Sequence, residues 1–169
     1  STQDGNNTVT LQNTKDNVVF VRLVQSGKLP LGEELASSSK LKVTTVFAGT
    51  NGDRIDISNL KQGEEFVAKI SVSNDSRDFV DNIALTQIFP SGWEIVNTRF
   101  TDANGGTEGA ARYTDIRDDR VNFYFDMNKA STKTFTVRLN ASYLGRYYLP
   151  GTQVEAMYDN TYYARNKGA

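Results

Sequence analysis

The chain has 169 residues and a formal net charge of −1; it is 38% hydrophobic and 23% charged, and it contains neither histidine nor cysteine. That length suffices for one well-buried domain, and recurrent Val, Ile, Leu, Phe and Tyr separate it from disordered compositions. The two absent residue types exclude Ser-His-Asp and Cys-His nucleophiles, thiolate zinc sites, His-ligated metals, disulfides and an internal thioester.

Lysines, arginines and carboxylates are mixed along the chain, so no basic face exists for a phosphate backbone and nucleic acid is not an expected partner. No apolar run is long enough to span a bilayer, and no signal peptide precedes Ser1, as in a mature fragment. Ser1 to Asn7 is a polar lead-in. Thr8 to Asn13 and Asn17 to Ser26 predict a strand pair, in which Val18 to Val24 is apolar on both faces, as in a central strand covered on two sides. Gly27 to Ser39 is rich in Gly, Pro and Ser, the composition of a boundary. Leu31 to Ser38 within it has room for a helical turn or two but lacks a sustained apolar stripe. The expected division is therefore 1–39, a lead-in, strand pair and linker, and 40–169, a β-sandwich.

From Lys40 onward the apolar period is two. Leu41, Val43, Thr45 and Phe47 alternate with Lys42 and Thr44, and Phe66, Ala68, Ile70 and Val72 with Val67, Lys69 and Ser71. Ile83 to Phe89 is apolar on both faces. Val121, Phe123 and Phe125, then Phe135, Val137, Leu139 and Ala141, repeat the alternation, which sets one face of each strand on a core and the other in water. Turn signals divide these runs, the clearest being Asn51-Gly52, where both residue types tolerate positive φ. Many short strands at such spacing predict an all-β, antiparallel β-sandwich with little helix.

Four groups of residues could carry function. Asp115, Asp118 and Asp119 could bind Ca²⁺ or act as a hydrolase's acid and base, but Arg117 and Arg120 stand among them, so mutual neutralisation in a turn is the favoured reading. Asp75, Asp78 and Asp81 around Arg77 have the same reading. Asn6, Asn74 and Asn140 begin N-glycosylation patterns that chance explains in so Asn-, Ser- and Thr-rich a chain. Trp93, the only tryptophan, follows the turn Pro90-Ser-Gly92; it could stack on a sugar, though plugging one end of a sandwich is the preferred role. Lastly, a closing strand over Thr152 to Tyr158 would put Val154 and Ala156 inside and Met157 on the polar face. An uncovered Met beside Tyr158, Tyr162 and Tyr163 suggests a partner surface.

Several segments, in order, resemble the C-terminal domain of bacterial alpha-2-macroglobulin-like proteins: Leu60-Lys-Gln-Gly-Glu-Glu-Phe-Val67, Ile88-Phe-Pro-Ser-Gly-Trp-Glu-Ile-Val-Asn97, Asp115-Ile-Arg-Asp-Asp-Arg-Val121, Leu144-Gly-Arg-Tyr-Tyr-Leu-Pro150, and Glu155-Ala-Met-Tyr-Asp-Asn160 followed by Ala164-Arg165. The resemblance spans roughly Lys40 to Gly168. It implies the tenth macroglobulin-like domain of a periplasmic or cell-envelope protein that traps proteases, with no catalysis and no cofactor of its own. Residues 8–36 resemble the strands that precede this domain, at the end of the module before it. In thioester-bearing members this domain packs on the thioester domain, and a Met-Tyr pair, matched here by Met157-Tyr158, helps to cover the bond. Tyr162 and Tyr163 are expected to extend that interface. The implied partners are the thioester domain of the same parent chain and, through the parent, target proteases; membrane contact is expected only through a lipid anchor on the parent. Because this chain lacks cysteine, a thioester would lie elsewhere in that parent. The chain also ends at Lys167-Gly168-Ala169, where relatives commonly continue with a Trp-containing tail. The competing reading is a carbohydrate- or surface-binding sandwich that uses Trp93 and the tyrosines.

Overall fold

The computed structural model describes residues 9–24, 34–96 and 111–169. Among them ten strands form two antiparallel sheets, with no helix: β1 (Ser37–Ser39), β2 (Leu41–Gly49), β3 (Glu65–Asn74), β4 (Val80–Ile88), β5 (Trp93–Val96), β6 (Tyr113–Ile116), β7 (Arg120–Met127), β8 (Ser131–Ala141), β9 (Gln153–Ala156) and β10 (Tyr163–Arg165). One sheet has the order β1-β10-β9-β4-β7-β6 and the other β2-β3-β8-β5. The all-β sandwich expected from the alternation is what forms.

Residues on the inward face of each strand make the core. Phe66, Ala68, Ile70 and Val72 of β3, Val121, Phe123 and Phe125 of β7, and Phe135, Val137, Leu139 and Ala141 of β8 are all buried, as their period of two requires. Phe123 and Phe125 approach Phe135 across the gap between the sheets, with ring centroids 4.6 and 4.7 Å apart. Each such side chain contributes about 1.5–3 kcal/mol by leaving water. β4 lies at the middle of its sheet between β9 and β7. It buries Ile83, Leu85 and Gln87 on one face but leaves Ala84, Thr86 and Ile88 half-buried on the other, so its second apolar face is only partly covered.

The Asn51-Gly52 signal forms the turn it predicts. Gly52 sits at φ +91, where a side chain is costly, and Ala48 bridges back to Arg54. Ser37–Ser39, just upstream of the expected division at Lys40, pairs with Tyr163–Arg165 as the edge strand of its sheet. The strand pair expected upstream is absent from residues 9–24: Val18, Phe20 and Leu23 are exposed, Phe20 at 95%. A run that is apolar on both faces needs cover on two sides, and this sandwich offers that segment none.

Pairing register assigns the described turns to one of two ends. Leu41, Asn74, Met127 and the β9–β10 loop lie at one end; Gly49, Ile88, Arg120 and the Trp93–Ala141 pair lie at the other.

Candidate functional site

The β9–β10 hairpin is rooted in the sheet and bare at its tip. Val154, Ala156 and Ala164 point into the core, while Gln153, Glu155, Tyr163 and Arg165 point out. At the root, Thr152 is fully buried; its hydroxyl bonds to the buried Gln87 side chain, and its N–H donates to Asn166 Oδ1 at 2.6 Å.

The loop from Met157 to Tyr162 is fixed from three directions. Met157 N–H donates to the Asn82 carbonyl at 2.9 Å, and Ala156 N–H donates to the Tyr162 carbonyl at 2.9 Å. Asp159 Oδ1 accepts from Thr161 N–H at 2.9 Å and from Thr161 Oγ1 at 2.7 Å, a local turn that Asp-x-Thr sequences favour. These two bonds, and more weakly the Lys40 charge, hold the Asp159 carboxyl below its ordinary value. Lys40 in turn donates to Thr161 Oγ1 at 3.1 Å and stands 4.3 Å from the Tyr162 ring centroid.

Behind Met157, strand β4 is irregular. The register with β7 slips between Val80 and Ile83, and Asn82 takes φ +50, a left-handed conformation that Asn tolerates better than most residues. Asp126 Oδ1 holds the Asn82 N–H at 3.0 Å, and Arg112 Nη1 lies 3.0 Å from Asp126 Oδ2. This bulge turns the Asn82 carbonyl toward Met157.

Met157 is 53% exposed and Tyr158 82% exposed, although the loop that carries them is held by backbone hydrogen bonds at Ala156, Met157 and Tyr162. Tyr163 is 38% exposed and continues the outward face, in one cross-strand row with Ser39, Glu155, Ala84, Tyr124 and Tyr113. Tyr113 and Tyr124 lie 5.8 Å apart at the far side of that row. Tyr162 does not belong to this surface. It is 5% exposed, and its hydroxyl donates to Asp78 Oδ2 at 3.1 Å. It immediately precedes β10, alternates with Tyr163 and so faces inward with Ala164. That parity was present in the sequence as Tyr162-Tyr163-Ala164, but the density of tyrosines hid it. The bulge at Asn82 had no comparable sequence signal beyond a residue type that accepts positive φ.

Four of the six other candidate aspartates, Asp75, Asp78, Asp115 and Asp119, are paired within the chain. Arg120 grips Asp119 with two bonds, Nε to Oδ1 at 2.9 Å and Nη2 to Oδ2 at 2.7 Å, and Arg117 Nε donates to Asp115 Oδ2 at 3.0 Å. The Arg120 side chain keeps the Asp119 carboxyl below its ordinary value, the opposite of what a general acid needs. Asp75 pairs with Lys42 at 2.5 Å rather than with Arg77, and Asp78 accepts from Tyr162. Asn74 is buried, and its amide donates to the carbonyls of Asp78 and Asn128, so it is a structural side chain and not a glycan acceptor. Asn6 lies outside the described residues. Trp93 packs edge-on against Phe66 at 4.9 Å and Phe47 at 5.7 Å, the expected plug, with part of its ring left at the surface.

Comparison with known proteins gives a consistent result. The family model of the bacterial alpha-2-macroglobulin MG10 domain matches residues 41–160. Alpha-2-macroglobulin of Pasteurella multocida is 24% identical over 151 residues, which are 89% of this chain but 8% of that protein. The crystal structure of Salmonella alpha-2-macroglobulin reacted with methylamine superposes with a TM-score of 0.68 at 26% identity, over 78% of this chain and 9% of that one. A structure of the native Escherichia coli alpha-2-macroglobulin, from domain MG7 to the C-terminus, gives a TM-score of 0.71 at 19% identity, over 82% of this chain and 24% of that one. The chain thus spans a small part of the relatives it matches.

Proposed function

The chain belongs to the bacterial alpha-2-macroglobulin family as an MG10 domain, and from that premise we propose that it is a non-catalytic lid on the thioester domain of a protease-trapping parent in the periplasm or cell envelope. The observation that carries this reading is the anchored tip with two uncovered side chains. A protein seldom fixes a loop by hydrogen bonds on three sides in order to leave a methionine and a tyrosine in water. Methionine fits irregular apolar surface and tyrosine supplies a flat ring, which together exclude water and amines from a reactive carbonyl. Met157, Tyr158 and Tyr163 make the contact; Tyr162 anchors it from below.

The lid works by exclusion. While the tip sits over the thioester, nucleophiles cannot reach the acyl carbon; after cleavage of the parent by a protease, rigid-body displacement of this domain uncovers it. The reaction of the Salmonella relative with methylamine is in keeping with this reading, since small amines open thioesters. Residues 1–39 are, in the same reading, the end of the module that precedes this one, with the sheet's edge strand Ser37–Ser39 forming the junction. The test is association of the chain with the parent's thioester domain by calorimetry. Wild type binds, and the paired Met157→Ala and Tyr158→Ala change weakens binding by about tenfold or more, as loss of two buried contact side chains does. Equal affinity would remove the tip from the interface.

A further inference from the structure

At the end of the sandwich opposite the tip lies a recess of about 360 Å³. Its walls are Ile57, Leu60, Trp93, Tyr143, Tyr147 and Leu149. The aromatic walls are held in position. Tyr147 lies across Gly92 and Gly145, where a Cβ would stand 2.2 and 2.7 Å from its ring, and its hydroxyl donates to the Leu144 carbonyl at 3.0 Å. Tyr143 reaches Glu94 with its hydroxyl at 3.3 Å. Yet Tyr143 and Leu144 are mostly exposed, and Tyr147 partly so. The recess is preformed, and its apolar rim is uncovered.

The path of the chain says what lies nearby. Read backward from Ser39, β1 runs along β10 from Tyr163 to Arg165, Arg165 Nε donates to the Leu35 carbonyl at 3.0 Å, and Tyr148, between two residues of the recess, bonds through its hydroxyl to the Glu34 carboxylate. The chain therefore enters this domain at the recess end. Nine residues, 25–33, separate that entry from the stretch Val18–Val24, and ten Cα–Cα steps reach at most about 36 Å. That stretch carries apolar side chains on both faces, Val19, Val21 and Leu23 on one and Val18, Phe20 and Val24 beside Arg22 on the other, and all six are exposed. A strand needs only one apolar face for the core of its own module.

We infer that in the parent Val18–Val24 forms a strand of the preceding module, and that the recess is the seat of that module, which packs the second face of this strand onto Trp93, Tyr143 and Tyr147. The inference rests on the reading of residues 1–39 as the end of that module. The sandwich is then gripped at both ends: by the preceding module at the recess and by the thioester domain at the tip. Rigid seating at the recess gives the tip a fixed position from which a displacement can be transmitted.

Amide hydrogen exchange in the parent protein and in this 169-residue chain tests it, because peptides covering 57–62, 143–149 and 157–161 report the two ends separately. Exchange over 57–62 and 143–149 is expected to be slower in the parent by about tenfold. Phe20→Asp in the parent, or Tyr143→Asp on the other side of the contact, removes that protection and leaves 157–161 unchanged. Equal exchange at the recess in parent and chain overturns the inference even if the tip is protected; a protected recess with an unprotected tip upholds it and overturns the lid instead. Protection that appears in the isolated chain as its concentration rises assigns the recess to a second copy and also overturns the proposal.

Discussion

The β9–β10 loop and the Asp115–Arg120 turn close hairpins of the same sheet at opposite ends, and they treat their side chains in opposite ways. In the turn, the salt bridges Asp119–Arg120 and Asp115–Arg117 pair four of the five charged side chains, Asp118 stays in water, and Ile116 packs against the core. No bare apolar side chain is left over for a partner. In the loop, Asp159, Thr161, Lys40 and Tyr162 satisfy one another while Met157 and Tyr158 stay bare. Density of charge marks a self-sufficient turn; an apolar pair on an anchored backbone marks a contact surface.

Removing the anchor has the largest effect. Tyr162→Ala empties a buried site and is expected to lower stability by about 3–5 kcal/mol, read from urea unfolding. Tyr162→Phe, which loses only the bond to Asp78, costs about 1 kcal/mol; if both changes were neutral, the tip would not be built on Tyr162. Asp126→Ala leaves the Asn82 N–H without its acceptor and should cost about 1–3 kcal/mol. It should also loosen residues 157–161 in hydrogen exchange, whereas an unchanged loop would detach the bulge from the site. Arg120→Ala breaks an exposed pair and should leave the urea unfolding midpoint nearly unchanged. A clear fall would mean that the turn does more than neutralise itself. Met157→Ala with Tyr158→Ala should change the stability of this chain by less than about 0.5 kcal/mol, because neither side chain is packed here.

Acid affects both turns in the same direction. The carboxyls of Asp119 and Asp159 are both held below their ordinary value of 3.8, the first mainly by the Arg120 side chain and the second mainly by the Thr161 N–H. A depressed carboxyl contributes stability above its unfolded value and loses it as pH falls through the lower, folded one. Both turns should therefore loosen only below about pH 4. NMR titration that put either carboxyl above its unfolded value would contradict the hydrogen bonds assigned to it.

How much of this was legible beforehand depended on what each side chain's surroundings were made of. Strands β2, β3, β7 and β8 were written in the alternation of their apolar residues, because their cover comes from within the chain. The exposure of Met157 followed from the same parity, with Val154 and Ala156 inside. Strands β1 and β10, three residues each, are too short to show a period, and Ser37–Ser39 has no apolar face at all. Tyr162 was grouped with its neighbours because a tyrosine serves equally as core and as contact, and only the partner of its hydroxyl, Asp78, separates the two. Val18–Val24 is a different case. Its composition states that it must be covered, but not by what.

The central claim is that the tip keeps nucleophiles from a thioester, and the most direct measurement is methylamine uptake by the uncleaved parent. With the wild-type tip, uptake should stay slow until a protease cuts the chain; with Met157→Ala and Tyr158→Ala it should become fast without cleavage, by about tenfold or more, the scale of about 1.4 kcal/mol of lost shielding. Identical rates in the two proteins before cleavage would contradict the account.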